Sequence, residues 1–366
     1  MSLQVQINAK RREIKTDGYP VSIGEWVSMY EAGELDIHPE FQRFYRWSSA
    51  QKAGLIESIL LGIPLPPIFV SQREDGVWDV VDGLQRLSTI FQFIGILKDE
   101  SGVLVSPLVL TGTKYLPALD GVAWDGGGSN AMPNDLRLIV KRSKIGASIV
   151  LKESDESAKY DLFQRLNTGG SELSPQEVRN CLMVMIDKGF YDWIKGFREV
   201  EDFVEAAALS DRPLEEAYDT ELALRFLVFG LISVRELKAI GDIGVFLTER
   251  MTDIAASKRF GRVKYKKLFK NTFSVIYSSM GDESFKRYSV QKGRHEGGFL
   301  LSLFEVIALG VAYNLDQGTL CPEFEIKRRA QSLWSNSDFT KWATSGVTAT
   351  RRLPHLIPLG RELFKA

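Results

Sequence analysis

The sequence predicts an α+β protein, with a mixed half built around a small sheet followed by a helical half. Three observations point there. In the first half, short apolar strand-like runs at 68–70, 77–81, 136–140 and 148–151 alternate with amphipathic helical stretches. From about Tyr218 onward the apolar spacing is helical, with little strand signal. The strands are few and short, which argues against a doubly wound parallel sheet. The 366 residues allow two domains, which the pattern places at 12–210 and 211–366.

The elements follow in order. Ile23 to Ala32 reads as a short amphipathic helix ended by Gly33. Pro39 keeps the stretch from Ile37 to Trp47 irregular or extended. Ser48 and Gln51 form a capping-box pattern for a helix with Leu55, Ile56, Ile59 and Leu60 on its apolar face. Gly62 and the prolines at 64, 66 and 67 stop that helix. Ile68–Val70 and Val77–Val81 read as strands of a hairpin turning at Glu74-Asp75-Gly76. The next helix buries Leu84, Leu87, Ile90, Phe91, Ile94 and Leu97, which places Gln85 and Arg86 off its buried stripe. Gly121 to Asn134 reads as a loop, and Leu136–Val140 and Ser148–Leu151 as strands. A helix ends near Phe163–Leu166, and a sharp turn at Asn167–Ser171 precedes another. That next helix has Ser174 as N-cap, Pro175 in first position and Glu177 closing a capping box.

Composition narrows the function classes. With 44% hydrophobic and 25% charged residues, the chain reads as an ordinary globular protein. No apolar run approaches the roughly 20 residues that span a bilayer, and Met1 to Lys15 lacks the apolar stretch of a secretion signal. The expected compartment is the cytoplasm, with no membrane partner. Cys181 and Cys321 make neither a metal cluster nor a disulfide framework. Three histidines (His38, His295 and His355) exclude a His-rich metal site. Charge is uneven: residues 1–210 carry 22 basic and 29 acidic residues (−7), and residues 211–366 carry 24 and 18 (+6). Such asymmetry fits a nucleic-acid-facing second half and also arises by chance.

The most informative stretch is Val80-Val81-Asp82-Gly83-Leu84-Gln85-Arg86. A strand runs through Asp-Gly into a helix whose first turn carries an arginine. Helix N-termini favour acidic guests, so an arginine there suggests an anion shared between it and the helix end, with phosphate the usual candidate. The plainer reading is a tight Asp-Gly turn, with Arg86 paired to a carboxylate. A second Gln-Arg pair, Gln42-Arg43, lies by a proline-bounded turn. Asn167-Thr168-Gly169-Gly170 is either a C-capping turn or a nest of backbone donors for phosphate. No Walker A or dinucleotide fingerprint occurs.

In combination these blocks resemble a known family. HPEFQRFYRW (38–47), LIESILLGIPLPPIFV (55–70), VVDGLQRLSTIFQF (80–93) and FQRLNTGGSELSPQEVRN (163–180) occur in the order of the N-terminal domain of GmrSD-type modification-dependent restriction enzymes, whose hallmark is Asp-Gly-Gln-Gln-Arg. The resemblance covers roughly residues 20–200. It implies a ParB/sulfiredoxin-like fold and nucleotide binding and hydrolysis within bacterial restriction or defence against phage. Asp82, Gly83, Gln85 and Arg86 fall on the hallmark, with Leu84 in place of its first Gln. Relatives commonly carry a C-terminal His-Asn-His nuclease domain. Here residues 211–366 offer only His295 and His355, with no Asp-His pair, so cutting of that kind is not expected from this chain. No cysteine lies near the Gln-Arg motifs, which disfavours a sulfiredoxin-like reductase.

The expected activity is therefore Mg²⁺-dependent hydrolysis of a nucleoside triphosphate. Arg43 and Arg86 hold phosphate, Gln42 and Gln85 orient base, ribose or water, and Asn167 to Gly170 supply backbone donors. Asp82 contacts Mg²⁺ or fixes Arg86, and Glu57 is the candidate general base. Two alternatives remain: a non-catalytic DNA-binding sensor that uses nucleotide as a switch, and a ParB-like nuclease. The DNA reading rests on Lys258, Arg259, Arg262, Lys264, Lys266, Lys267 and Lys270, interleaved with Phe260, Tyr265 and Phe269. Its plain counterpart is a solvated helix with aromatics facing a core. DNA and a separate nuclease subunit are the candidate partners.

Overall fold

The computed structural model describes residues 3–4, 15–37, 47–99, 101–125, 130–154, 174–215, 217–344 and 346–366. The backbone groups into two compact units, Met1–Glu172 and Leu173–Ala366.

Unit one is built on a five-stranded mixed sheet of order β1-β5-β3-β4-β2. Its strands are β1 (Thr16–Ser22), β2 (Leu35–Asp36), β3 (Ile68–Gln72), β4 (Trp78–Asp82) and β5 (Lys144–Val150). β1 pairs antiparallel with β5, β5 parallel with β3, β3 antiparallel with β4, and β4 parallel with β2. The helices are α1 (Ile23–Ala32), α2 (Ser49–Leu60), α3 (Leu84–Ile94) and α4 (Asn134–Arg142). α1 and α2 pack on α4, and α2 packs on α3. Trp26, Ile56, Ile68, Phe91, Phe93 and Val140 are all but fully buried in one core. Burial at this scale stabilises by roughly 2 kcal/mol or more per large apolar side chain.

Local chemistry sets the boundaries. The Ser48–Gln51 capping box is formed. Gly33 and Gly95 close α1 and α3 in the left-handed region. The β3–β4 hairpin turns through Asp75-Gly76, with the Arg73 amide donating to the Val77 carbonyl at 2.9 Å. Arg73 also grips Asp79 and Asp36, neighbours across β4 and β2, and so ties the two-residue edge strand to the sheet. The blocks at 38–46 and 155–173, and the helix expected to end near 163–166, lie outside the described residues.

One expectation needs correction, and one strand carries no sequence signature. Leu136–Val140 is helix, not strand. Leu136, Leu138 and Val140 alternate as a strand would, but Pro133 caps the segment, Asp135 sits in its first turn, and Lys141 and Arg142 lie in its last. Charges complementing the helix dipole at both ends favour helix over alternation. β1 carries no apolar alternation because it is an exposed edge strand with only Val21 buried. Its pairing with β5 alone defines it.

Unit two is helical, with one short β6–β7 hairpin (Arg287–Ser289, Arg294–Glu296) that the sequence pattern did not show. Its helices are α5 (Pro175–Lys195), α6 (Glu201–Ala207), α7 (Asp211–Glu215), α8 (Tyr218–Phe229), α9 (Val234–Ala239), α10 (Ile243–Ala256) and α11 (Arg262–Met280). There follow α12 (Leu301–Gln317), α13 (Glu323–Ser332), α14 (Ser337–Trp342) and α15 (Ala349–Leu363). α5 begins at Pro175 as expected; the side chain of Glu177 lies outside the described atoms. α12 and α15 cross at a glycine pair. A Cβ at Gly310 would stand 2.5 Å from the Gly360 carbonyl oxygen, and one at Gly360 2.2 Å from that of Val306. Only glycine allows that approach. Phe269 sits in the aromatic core, 4.5 Å from Phe273 and 4.9 Å from Phe226 between ring centroids. Among the described residues no helix is long and apolar enough to cross a membrane.

Candidate functional site

The Asp-Gly junction is where β4 feeds α3. Asp82 is the last residue of β4, opposite Phe69, next to a register shift in β3. Gly83 turns the chain with φ of 104°, and its missing side chain is also a packing requirement. A Cβ there would stand 2.4 Å from Ile68 Cδ1 and 3.3 Å from Arg86 Nη2. α3 then starts with no side-chain cap and no acidic residue in its first turn. The uncapped end keeps its positive field.

Arg86 is not off the buried stripe as its spacing suggested; it is only 9% exposed. Its guanidinium donates to Asp82 Oδ2 at 3.1 Å, to the Pro67 carbonyl at 3.2 Å and to the Pro66 carbonyl. Its side chain folds back because those carbonyls, from residues with no N–H of their own, stand directly before β3. Burial pulls the guanidinium's pKa down, and Asp82 opposes that. Asp82 thus does one of the two things expected of it: it fixes Arg86. Three of the five guanidinium protons are engaged by these bonds.

Gln85 is half-buried in the first turn, and its backbone carbonyl accepts from Thr89 Oγ1 at 2.7 Å. Gln92 continues that stripe, accepting from Lys52 Nζ of α2 at 3.0 Å. Burial lowers the Lys52 pKa. Lys52 belongs to none of the sequence motifs. Its signal was present, since position 52 shares the helix face of Leu55, Ile56 and Ile59.

Glu57 stands elsewhere. Its Oε1 accepts from the Thr113 hydroxyl and from the amides of Tyr115 and Leu116, both at 3.0 Å. The Thr113 bond, with help from the two amides, holds its pKa below the usual carboxylate value. Its described bonds all go to this loop, and a carboxylate so held is a weak base. Gln42, Arg43, Asn167, Thr168, Gly169 and Gly170 lie outside the described residues. The structure therefore brings together Asp82, Gly83, Gln85 and Arg86, and anchors Glu57 to a different loop.

Among the described residues no cluster of three or more His, Cys, Asp or Glu side chains is placed to hold a metal ion. Mg²⁺ bound through substrate phosphates needs only one or two protein carboxylates. Asp82 meets that requirement: its Oδ2 is on Arg86, and its side chain is 38% exposed.

The basic stretch divides. Arg262 pairs with Asp187, at a non-helical residue inside α5, and lies over the Phe190 ring. Lys264 pairs with Asp316 at 2.7 Å. Lys266 is half-buried, while Lys258, Arg259, Lys267 and Lys270 are exposed. Phe260 stacks on Tyr265 with centroids 4.6 Å apart, and Phe269 is wholly buried. Phe269 therefore packs inward while Phe260 and Tyr265 stay half-buried, and the exposed surface is basic with Val263 86% exposed among it.

Neither comparison with curated proteins nor comparison with solved structures found a match. Residues 23–184 match the family model described as GmrSD restriction endonuclease, N-terminal domain. That segment contains the whole Asp82–Arg86 junction, and it is a domain of the GmrSD N-terminal family.

Proposed function

We propose that this chain is the nucleotide-binding and nucleotide-hydrolysing component of a restriction or anti-phage defence system. Its first domain would have a ParB/sulfiredoxin-like fold. The match of residues 23–184 to the GmrSD restriction endonuclease N-terminal domain supports the restriction role. The observation that carries the nucleotide reading is the start of α3, a buried arginine at an uncapped helix end that follows a left-handed glycine. Such an end attracts phosphate oxygens.

In this reading the α3 amides and the two remaining Arg86 protons receive phosphate, and Arg43 and the 167–170 turn complete the clamp. Gln85 orients the attacking water, with Gln42 on base or ribose. Mg²⁺ at Asp82 would neutralise phosphate charge, as phosphoryl transfer requires. Arg86 has a second duty, because its bonds to Pro66 and Pro67 hold the junction itself in shape. Glu57 serves by anchoring the 113–116 loop rather than by taking a proton.

Arg86→Ala removes a structural tie together with any phosphate contact, so Gln85→Ala is the cleaner variant. Purified protein with Mg²⁺ and each of the four nucleoside triphosphates should release phosphate from at least one. Gln85→Ala should lower the rate by about 10²-fold with little change in melting temperature. No release above background with any of the four would overturn the hydrolase reading.

The second reading, DNA binding through unit two, is favoured by the exposed Lys258, Arg259, Lys267 and Lys270. Charge reversal at Lys267 and Lys270 should then weaken duplex binding and flatten its salt dependence. Plasmid nicking that tracks Gln85→Ala would instead favour a ParB-like nuclease.

A further inference from the structure

Unit two carries two exposed faces that match each other in charge and shape. On α6, Glu201, Val204, Glu205 and Ala208 recur at helical spacing and are all exposed, while Phe203, Ala206 and Ala207 are buried on the other side. Val204, 47% exposed, therefore stands between two carboxylates. Beside it opens a hollow of about 360 Å³, lined by Phe203, Val204, Leu209 and Leu214 together with the exposed Glu205. Asp219 and Asp282 also border the hollow, but each has its own cation, Arg198 at 2.5 Å and Lys286 at 2.7 Å. Glu201 and Glu205 form no ion pair among the described residues.

The second face is on α11. Val263, Lys267 and Lys270 recur at i, i+4 and i+7, away from the buried Leu268, Phe269, Thr272 and Phe273. Val263 is an aliphatic side chain almost wholly in water. Lys267 and Lys270 are exposed and form no ion pair among the described residues. The two faces point apart. α6 packs on α11 through Phe203, whose ring centroid lies 5.1 Å from that of Phe269 and 4.8 Å from that of Phe273. Their outward faces are thus on opposite sides of the helix pair and cannot meet within one chain.

We propose that this chain self-associates head to tail through unit two, with Val263, Lys267 and Lys270 of one copy seated on the α6 face and hollow of the next. Two unpaired ammoniums meet two unpaired carboxylates, which sets partner and register, and Val263 is the apolar anchor. The hollow has room for Val263 with the methylene stem of Lys267. Because the faces differ and point apart, the contact is heterologous and builds a ring or an open chain. Lys267 and Lys270 are also cations of the DNA reading. Val263 favours protein, since an exposed aliphatic side chain among lysines gains from an apolar hollow and gains nothing from a phosphate backbone. The α3 junction takes no part in this contact.

The test is sedimentation velocity of the full chain from about 1 to about 300 µM, at low and high salt. The weight-average mass should rise with concentration, and salt should reduce it. Glu201→Lys with Glu205→Lys, and separately Lys267→Glu with Lys270→Glu, should each leave the chain monomeric. Mixed in equal amounts, the two variants should associate again, because each then offers the charges that the other lacks. Misfolded variants would not rescue one another. Val263→Ser, with every charge intact, should weaken association about tenfold. A monomer at every concentration, association that survives either charge reversal, or a mixture that stays monomeric overturns the proposal. In the first case, loss of duplex binding on reversal at Lys267 and Lys270 would assign the α11 face to DNA.

Discussion

The start of α3 and the buried ion pairs of unit two set the same problem, guanidiniums taken out of water, and handle it differently. At α3 the arginine is turned back on the chain, where Asp82 and two prolyl carbonyls occupy three of its protons. In unit two Arg179 and Arg225 both donate to Glu221, Arg352 holds Glu305 with two bonds, and Arg225 Nη1 stands 3.7 Å from Glu305. The difference teaches what each arginine is for. A guanidinium satisfied from within contributes mainly to stability, and ligands reach it through what is left. Guanidiniums that reach carboxylates on other helices tie those helices together.

The largest effect that can sharpen this contrast is at Glu305. Glu305→Ala strands Arg225 and Arg352 in the interior and should cost about 4 kcal/mol in denaturant unfolding. Loss below about 1 kcal/mol would mean that these ion pairs are wetter than their burial indicates. Gly83→Ala combines a left-handed backbone with a clash against Ile68 and should cost about 3 kcal/mol. Arg86→Ala should cost about 2 kcal/mol, discounted because Asp82 is partly exposed, and Arg86→Lys should recover only part of that. A double-mutant cycle with Asp82→Asn measures the pair itself. Full recovery by lysine would contradict the stapling role.

A smaller effect has the opposite sign. Ala208 and Ala217 hold φ of 43° and 55°, where alanine is strained. Ala217→Gly should stabilise unit two by about 0.5–1 kcal/mol, read as a rise in melting temperature. The last prediction concerns acid. The folded pKa of Glu57 lies below its ordinary 4.5, chiefly through the Thr113 bond. Its stabilisation is therefore present above that value and disappears as pH falls through the lower folded one. Glu57→Gln should flatten the acid limb of the stability profile there, and an unchanged limb would remove Glu57 as the anchor of the 113–116 loop.

Much of the fold is legible in the sequence where its determinants are local. The Ser48–Gln51 box, the glycine stops and the Asp75-Gly76 turn all act within a few residues, and each stands as its pattern indicated. The errors come from long-range determinants. β1 is a strand only because β5 lies beside it, with Thr16 paired to Val150 and Ser22 to Lys144. Helix α4 presents Leu138 and Ile139 to the surface, so its apolar residues mimic alternation. The Asp82–Arg86 pair could be read because its members are four residues apart on one helix end. Its proline acceptors could not, since nothing in a single sequence says which carbonyls a guanidinium will find. The Glu305–Arg352 pair spans 47 residues and shows no motif at either end.

The most direct measurement is amide hydrogen exchange across residues 82–88 with and without Mg²⁺ and a hydrolysis-resistant nucleoside triphosphate. Helix-start amides that no side chain caps exchange readily unless a ligand accepts from them. The account predicts marked slowing in this peptide when the nucleotide is present. Unchanged exchange there, under conditions where the protein demonstrably binds the nucleotide, would contradict it and place the phosphates elsewhere.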